Sequence, residues 1–415
     1  MKRAALALLL IACSTRSSRI PIDAPPAVPP PRDADRTIRV ALAADAPRLS
    51  ASGNFAWYGT DGRTVLVRSS RSIEFRVEPT PDGQLRAVTS GGLVAGPSRD
   101  LVLRPTDNGF VTVNGRRYRG ELSITAGASA VTIVNRLPLE EYLRSVVAVE
   151  MGNRPRGDSS ALQAQAIASR SYAYVRLASQ GDFDVRATVA DQAYGGVDLE
   201  NQNATAAVDA TRGLVVRYQD RVVGALYFST CGGSTAEPTE VWRTSNVAYF
   251  QRVSDRIGRS DRYYCDGAPR FRWNRTLAKS QLDAALATYL KNYAAVPEGG
   301  PGGARHVAVL STSHSGRVGA VEIETERGAF SVRGDDIRYV FRAPGGEILS
   351  STYFSVAPEY GRDGVLSSVT FLGRGNGHGV GMCQWGAIGR ARAGQSFRTI
   401  LATYYPGTTV GYPVE

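Results

Sequence analysis

The sequence predicts an α+β fold of mixed, mostly antiparallel β-structure with a few buried helices. Short runs of alternating apolar and polar residues, separated by Gly, Asp and Asn turns, fill residues 38–135 and recur after residue 213. Between them, residues 137–151 and 159–179 carry apolar residues at helical spacing. Strands and helices do not alternate regularly, which favours α+β over a parallel α/β sheet.

The amino terminus predicts export and a lipid anchor. Lys2 and Arg3 precede an apolar stretch that is too short to span a bilayer, and Cys13 follows it. The four residues ending at Cys13, "LIAC", resemble the bacterial lipobox, in which the cysteine is acylated and becomes the first residue of the mature protein. Residues 1–12 are therefore expected to be a lipoprotein signal peptide. The alternative is an ordinary signal peptide with an incidental cysteine.

Three segments are expected to follow the signal peptide. Residues 13–37 form a tether, since the stretch "PIDAPPAVPPP" holds six prolines and cannot pack. Residues 38–135 form a β-rich region, and residues 136–415 form the core. No other apolar run of the sequence is long enough to cross a membrane.

The net charge of +11 does not predict a nucleic-acid partner. The basic residues are mostly scattered arginines, and no block of Lys and Arg forms an electrostatic footprint.

The predicted second helix, residues 159–179, has apolar residues on nearly every face and is expected to be buried. Gln165, Ser169 and Tyr172 are polar exceptions that share one face, and Arg170 lies about 100° away from Ser169. Two interpretations remain open: a hydrogen-bonded network inside the core, or one wall of a polar cleft.

Alternating glycines mark residues 373–394, "GRGNGHGVGMCQWGAIGRARAG". The pattern is neither a dinucleotide fingerprint nor a phosphate loop, because it lacks both G-x-G-x-x-G and Gly-Lys-Ser/Thr. His378 lies within it, and either a structural or a functional role is consistent with the pattern.

The cysteines beyond Cys13 are Cys231, Cys265 and Cys383. An exported chain cannot pair three, so one prediction is a Cys231–Cys265 disulfide with Cys383 buried and free. The alternative is a zinc site of the three thiolates with His378 as the fourth ligand. The absence of C-x-x-C spacing and the oxidising compartment favour the disulfide, so no metal cofactor is expected.

Five ordered blocks resemble the SpoIID/LytB domain family: "LPLEEYLRSVVAVEM", "ALQAQAIASRSYA", "YFSTCGGSTAEPTEVW", "FLGRGNGHGVGMCQWGA" and "ILATYYPGT". The resemblance implies an exported or membrane-anchored lytic transglycosylase of the stage II sporulation protein D type, acting on peptidoglycan stripped of its peptides, with residues 136–415 as its catalytic core. Some members of the family are described as enhancers of cell-wall amidases. By the same resemblance, Glu150 falls on the catalytic glutamate, the acid of an "EM" pair.

The chain departs from the family pattern at two places. Some members have a His before "ST", where this chain has Phe228 and then Ser229, and some of them bind zinc with a His/Cys set. The residue after "GM" is commonly Ser and is Cys383 here.

The expected chemistry needs only one carboxyl group. A lytic transglycosylase protonates the leaving oxygen and then removes the proton of the MurNAc C6 hydroxyl, which closes a 1,6-anhydro ring without water. Such an acid must stay protonated near neutral pH, and the apolar run before Glu150 favours that state. Glu141 lies on the opposite side of the helix, so Glu140 and Glu141 are interpreted as carboxylates that stabilise its first turn.

Substrate contacts and partners are expected as well. The residues expected to contact substrate are Gln165, Ser169, Arg170, Tyr172, Ser229, His378 and Gln384. The expected partners are peptidoglycan glycan strands, a membrane reached through the lipid anchor and, as an open alternative, a cell-wall amidase, but no nucleic acid. The alternative function is a non-catalytic glycan-binding protein that enhances a cell-wall amidase.

Overall fold

The computed structural model describes residues 36–46, 49–58, 65–89, 91–105, 109–126, 131–177 and 180–414. The predicted signal peptide, Cys13 and residues 13–35 of the predicted tether lie outside these ranges. Within the described ranges, no helix has the length and apolar character needed to cross a membrane.

The described residues form two compact units. The amino-terminal unit contains residues 36–225, Gln395–Thr399 and 408–414, and the carboxy-terminal unit contains Leu226–Gly394 and Ile400–Gly407.

An eleven-stranded sheet dominates the amino-terminal unit, in the order β11-β1-β10-β9-β6-β2-β3-β4-β5, with β7 paired to β2 and β8. Its strands are β1 (Thr37–Ala46), β2 (Leu49–Tyr58), β3 (Val65–Pro79), β4 (Leu85–Thr89), β5 (Gly92–Ser98), β6 (Asp100–Pro105), β7 (Val111–Val113), β8 (Arg116–Tyr118), β9 (Glu121–Ala126), β10 (Val131–Pro138) and β11 (Val185–Arg186). Every pairing is antiparallel except that of β1 with β11. Alternate residues of β9, such as Leu122 and Ile124, are buried, which explains the period-two pattern of the sequence.

This unit also contains the helices α1 (Leu139–Met151), α2 (Ser159–Tyr174) and α3 (Gln202–Ala210). Strand β10 continues directly into α1 at Pro138, and Gly152 ends that helix with a φ of 71°. The predicted β-rich region and the start of the predicted core therefore share one unit. Helix α2 is buried along nearly its whole length, as its composition predicts. Single 3₁₀ turns lie at Arg156–Asp158 and Val197–Leu199.

A buried ion pair joins α1 to α2. The Nε and Nη2 atoms of Arg170 each donate to one carboxylate oxygen of Glu140, both at 2.8 Å. Arg170 is 1% exposed, and its Nη1 donates to the carbonyl of Leu214 at 3.0 Å. Glu140 also accepts the backbone N–H of Gly213 at 3.2 Å. Glu140 thus does more than favour the first turn of α1, because it neutralises a guanidinium that α2 carries into the core.

The carboxy-terminal unit is built from small sheets and short helices. Its strands and helices are β14 (Tyr227–Phe228), α4 (Pro238–Val241), β15 (Arg272–Ala278), α5 (Lys279–Tyr289), β16 (Ala304–Thr312), β17 (Val318–Thr325), β18 (Gly328–Arg333), α6 (Asp336–Val340), β19 (Phe354–Tyr360), β20 (Leu366–Arg374), β21 (Met382–Cys383) and α7 (Gln384–Arg392), with a 3₁₀ turn at Leu290–Asn292. The sheets β15-β20-β19 and β16-β17-β18 enclose an apolar core that includes Leu286, Val321 and Phe371.

The remaining elements are α8 (Phe397–Tyr404) and a three-stranded sheet of the amino-terminal unit, which pairs β12 (Val215–Tyr218) with β13 (Arg221–Val222) and with β22 (Thr409–Gly411). With 25% helix, 34% strand and mostly antiparallel sheets, the chain has the α+β fold that the sequence predicts.

We expect Arg170→Met to lower the free energy of unfolding by about 3–5 kcal/mol, since it leaves the Glu140 carboxylate buried without its cation. The control is Asp209→Asn, which removes the pair with Arg144 at a carboxylate that is 51% exposed, and it should cost less than about 1 kcal/mol. Urea unfolding followed by circular dichroism measures both. Equal midpoints for Arg170→Met and Asp209→Asn would contradict the structural role of the buried pair.

Candidate active site

Glu150 lies in the last turn of α1 and is half-buried. The backbone N–H of Ala193 donates to its Oε1 at 3.0 Å. Ala193 belongs to an irregular segment, loop 191–195, which connects the region of β11 to the 3₁₀ turn before α3. One carboxylate oxygen of Glu150 is therefore held by a backbone amide.

Two buried tyrosines fix loop 191–195. The Tyr172 hydroxyl donates to Asp191 Oδ1 at 2.9 Å, and the Tyr142 hydroxyl donates to Gln192 Oε1 at 3.1 Å. Burial raises the pKa of both phenols, and the negative charges of Asp191 and Glu150 add to that shift. Both tyrosines therefore remain neutral hydrogen-bond donors, and they tie α1 and α2 to the same loop.

Further contacts attach the loop to the two helices. Gln192 Nε2 donates to the carbonyl of Ser169 on α2 at 3.3 Å, and the N–H of Gly195 donates to Ser145 Oγ on α1 at 3.2 Å. Helices α1 and α2 and loop 191–195 thus form one hydrogen-bonded assembly around Glu150.

The polar face of α2 is part of this assembly. Gln165 Nε2 donates to Ser169 Oγ at 2.9 Å, and both residues are 0% exposed. Tyr172 is buried in contact with Asp191. Of the two interpretations left open by the sequence, these contacts match the buried network.

The expected substrate contacts on α2 therefore need correction. Gln165, Ser169, Arg170 and Tyr172 have almost no exposed surface with which a glycan could make contact. The guanidinium of Arg170 is also not available to a substrate, because it donates two hydrogen bonds to the carboxylate of Glu140. These residues support the helices around Glu150 instead of contacting substrate.

Asp191 is a second carboxylate of this site, two residues before the Ala193 whose amide donates to Glu150. Its oxygens already have structural partners: Oδ1 accepts the Tyr172 hydroxyl, and Oδ2 accepts the N–H of Arg186 at 2.9 Å. The Nε of Arg176 lies 3.6 Å from Oδ1. Asp191 is thus bound into the scaffold that carries Ala193.

The predicted residues Ser229, His378 and Gln384 lie in the carboxy-terminal unit. Strands β14 and β21 pair in parallel and align Phe228 with Cys383, so the motif "STCGG" runs beside "GMCQW". The carbonyl of half-buried Ser229 accepts the N–H of Trp385 at 3.0 Å, and Gln384 is 6% exposed at the start of α7.

His378 is held as a neutral imidazole. Its Nδ1 accepts the N–H of Val380 at 3.1 Å, so its Nε2 carries the proton that it shares with the carbonyl of Tyr227 at 3.1 Å. The rings of Phe228 and Trp242 lie 5.3 and 5.2 Å from the imidazole centroid. Burial lowers the pKa of His378 to about 4. Both ring nitrogens are hydrogen-bonded to backbone groups, so neither is positioned as a metal ligand.

The three described cysteines converge without forming the predicted disulfide. Cys231, Cys265 and Cys383 are all free and buried. The sulfurs of Cys231 and Cys265 lie 3.4 Å apart, a contact distance well beyond the ~2.05 Å of an S–S bond. The carboxylate of Asp255 lies beside the cysteine sulfurs. The three sulfurs and one oxygen of this carboxylate all lie within 4.8 Å of one another. These four residues, the thiol cluster, could hold a metal ion.

Charge is distributed unevenly over the thiol cluster. Burial raises the pKa of Cys231 and Cys383, whereas hydrogen bonds from those two thiols lower the pKa of Cys265. Burial and the negative charge of Cys265 raise the pKa of Asp255 to about 6, against the opposing effect of Arg390. The cluster is a buried anionic site.

Two family models match the chain, one within each compact unit. The model described as SpoIID, stage II sporulation protein, matches residues 127–218, and a domain of unknown function, DUF8618, matches residues 236–381. The stage II sporulation protein D of Bacillus subtilis is 26% identical over 77% of this chain and 87% of its own length. These matches support the assignment of the chain to the SpoIID family.

Two further relatives are similar to this chain. An uncharacterized protein of Brachyspira hyodysenteriae is 28% identical over 76% of this chain and 77% of its own length. The amidase enhancer of Bacillus subtilis is 29% identical over 60% of this chain, but the match spans only 38% of that protein. The family predicted from the five sequence blocks is confirmed.

Sequence reasoning misses two parts of this chain. Loop 191–195 has no helical or strand period, and its only signal is the pair Gly195-Gly196 after Tyr194. Asp255 lies among exposed polar residues in "RVSDRIG" and is 0% exposed. Neither position carries a motif, because each acquires its role through contacts with distant parts of the chain.

Proposed function

We propose that this SpoIID-family chain is a lytic transglycosylase that cleaves peptidoglycan glycan strands, with Glu150 as its single acid and base. The observation that carries the proposal is the carboxylate of Glu150, held at the end of α1 by the amide of Ala193. The stage II sporulation protein D relatives and the position of Glu150 in the family's "EM" pair support a role in the cell wall.

The geometry suits proton transfer in both directions. Since the amide of Ala193 donates to Oε1, the proton of the neutral carboxyl group is favoured on Oε2. That proton passes to the glycosidic oxygen as the bond to MurNAc C1 breaks. The resulting carboxylate then removes the proton of the C6 hydroxyl as its oxygen bonds to C1, which closes the 1,6-anhydro ring and restores the acid. Water enters neither step.

Rigid support is the second element of the proposal. A general acid must stay within hydrogen-bond reach of the atom that it protonates, and small displacements cost large factors in rate. Tyr142 and Tyr172 hold loop 191–195 from two helices, so the amide of Ala193 keeps its position as substrate binds. Both tyrosines are positioning residues in this scheme.

A second candidate function is stimulation of a cell-wall amidase by glycan binding without cleavage. The amidase enhancer of Bacillus subtilis favours it, although this chain matches only part of that protein. The two functions differ in one observable: the transglycosylase releases 1,6-anhydro-MurNAc ends, and the enhancer releases nothing.

We further propose that the chain acts outside the cytoplasm, anchored by an acylated Cys13 and the proline-rich tether. Metabolic labelling with a palmitate analogue tests the anchor. The wild-type chain should incorporate the label and sediment with membranes, whereas Cys13→Ala should take up no label and be either released or left unprocessed. A wild-type chain that takes up no label would contradict the lipid anchor but leave the proposed chemistry untouched.

We expect Glu150→Gln to lower the rate of 1,6-anhydro-MurNAc release from peptide-free glycan by at least about a hundredfold, the usual contribution of a positioned acid. The matched control is Glu141→Gln on the same helix, which should retain wild-type activity. Mass analysis of the products and pull-down on the same glycan measure cleavage and binding.

Three outcomes separate the alternatives. Loss of cleavage with retained binding in Glu150→Gln supports Glu150 as the acid. Wild-type rates in Glu150→Gln would show that another group is the acid. A wild-type chain that binds glycan and releases no product would favour the enhancer.

A further inference from the structure

We propose that Cys231, Asp255, Cys265 and Cys383 bind one Zn²⁺ ion, which ties together three separate segments of the carboxy-terminal unit. The proposal rests on the arrangement of the side chains in the thiol cluster and is independent of the function of Glu150.

The spacing of the ligand atoms fits a tetrahedral ion. Ligands at about 2.3 Å from a tetrahedral Zn²⁺ lie about 3.8 Å apart, with shorter edges to a carboxylate oxygen. In the thiol cluster the sulfurs of Cys231 and Cys265 are 3.4 Å apart, and the Cys231 sulfur lies 3.3 Å from Asp255 Oδ2. All four ligand atoms lie within 4.8 Å of one another, so small shifts would seat an ion among them.

Asp255 is oriented as a metal ligand is. Its Oδ1 accepts the Tyr404 hydroxyl at 2.7 Å and Arg390 Nη2 at 3.0 Å, while its Oδ2 faces the cysteines. Carboxylate ligands are commonly fixed by such outer partners on the oxygen that does not face the metal. Gly386 makes room for this arrangement, because a Cβ there would lie 2.0 Å from the Tyr404 hydroxyl and 2.1 Å from Asp255 Oδ2.

Backbone amides are directed at two of the sulfurs. The N–H groups of Cys231 and Gly386 both donate to Cys383 Sγ at 3.2 Å, and the N–H of Gly233 donates to Cys231 Sγ at 3.4 Å. Such donors stabilise thiolates, which are the form of cysteine that binds metal.

The charges around the thiol cluster also fit a bound dication. Three thiolates, one carboxylate and Zn²⁺ have a net formal charge of −2. Arg390 pairs with Asp255, and the fully buried Arg317 donates from Nη2 to the carbonyl of Cys231 at 3.2 Å. These two guanidinium groups balance the complex. A Cys231–Cys265 disulfide would remove two of the negative groups and leave Arg317 buried with less compensation.

The ligand types select zinc and a structural role. Thiolates favour Zn²⁺ over the hard cations Mg²⁺ and Ca²⁺, and one carboxylate is compatible with zinc. Four protein ligands leave no open position for substrate or water, so the ion would act on folding rather than on chemistry. It would join the "STCGG" motif, residues 255–265 and the start of α7.

The decisive experiment measures metal content and thiol state on the full chain. The protein is purified without chelator or reductant, and zinc is quantified by elemental mass spectrometry. In parallel, alkylation of the native protein followed by peptide mapping reports the state of each cysteine. We expect about one zinc per chain, with Cys231, Cys265 and Cys383 protected from alkylation until a strong chelator is added. Chelation should also lower the thermal unfolding midpoint.

A pair of aspartate variants tests the ligand set. Asp255→Asn should weaken zinc at least about tenfold in competition with a chromogenic chelator. Asp261→Asn, which changes a side chain that is 96% exposed, should bind zinc like the wild type. Because the wild-type result stands alone, poor folding of Asp255→Asn would not leave the proposal untested.

The contradicting results are equally specific. A Cys231–Cys265 disulfide in the native peptide map, with no zinc, would overturn the proposal and restore the pairing that the sequence predicts. Three reactive thiols that take up no zinc on titration would overturn it as well.

Discussion

The hydrogen bond from the Ala193 amide to Glu150 is the contact on which the proposed chemistry depends. It requires loop 191–195 to stay in register with the last turn of α1. Tyr142 on α1 and Tyr172 on α2 hold the loop in this position through hydrogen bonds from their hydroxyl groups. The helices are in turn joined by the buried pair of Glu140 and Arg170. Breaking the pair would therefore disturb Glu150 as well as the core.

This network of contacts explains why α2 has so many polar side chains in the core. A buried polar residue is costly unless its hydrogen bonds are made, so each polar residue of α2 must have partners in the fold. Arg170 is paired with Glu140, Ser169 accepts from Gln165, and Tyr172 donates to Asp191. Together these contacts specify one arrangement of α1, α2 and loop 191–195.

The carboxy-terminal unit uses a different means of holding its motifs. The parallel pairing of β14 with β21 brings "STCGG" beside "GMCQW", and the neutral imidazole of His378 bridges the backbone at Tyr227 and Val380. Gly379 has a φ of 97°, and a Cβ there would lie 2.6 Å from the guanidinium of Arg317. Glycine is thus required at position 379 of this glycine-rich motif by the close approach of a buried arginine.

Local patterns predict the elements of this fold better than its site. The apolar periods of α1 and α2 predict both helices and the burial of α2, because period and burial are properties of one segment. The partner of Arg170 is thirty residues away, and Asp255 is buried by Arg390 and Tyr404, more than a hundred residues away. Such long-range pairings leave no local pattern. For that reason the sequence misplaces Arg170 as a substrate contact and misses Asp255 and loop 191–195.

Cleavage of peptide-free glycan in H₂¹⁸O tests the central claim most directly, because it asks whether one carboxyl group performs the reaction without water. With Glu150 as the single acid and base, the new MurNAc ends should be 1,6-anhydro, resist borohydride reduction and contain no ¹⁸O. If Asp191 instead activated water as the second carboxylate of a glycosidase, the new ends would be reducing and would carry ¹⁸O. That result would contradict the proposed mechanism.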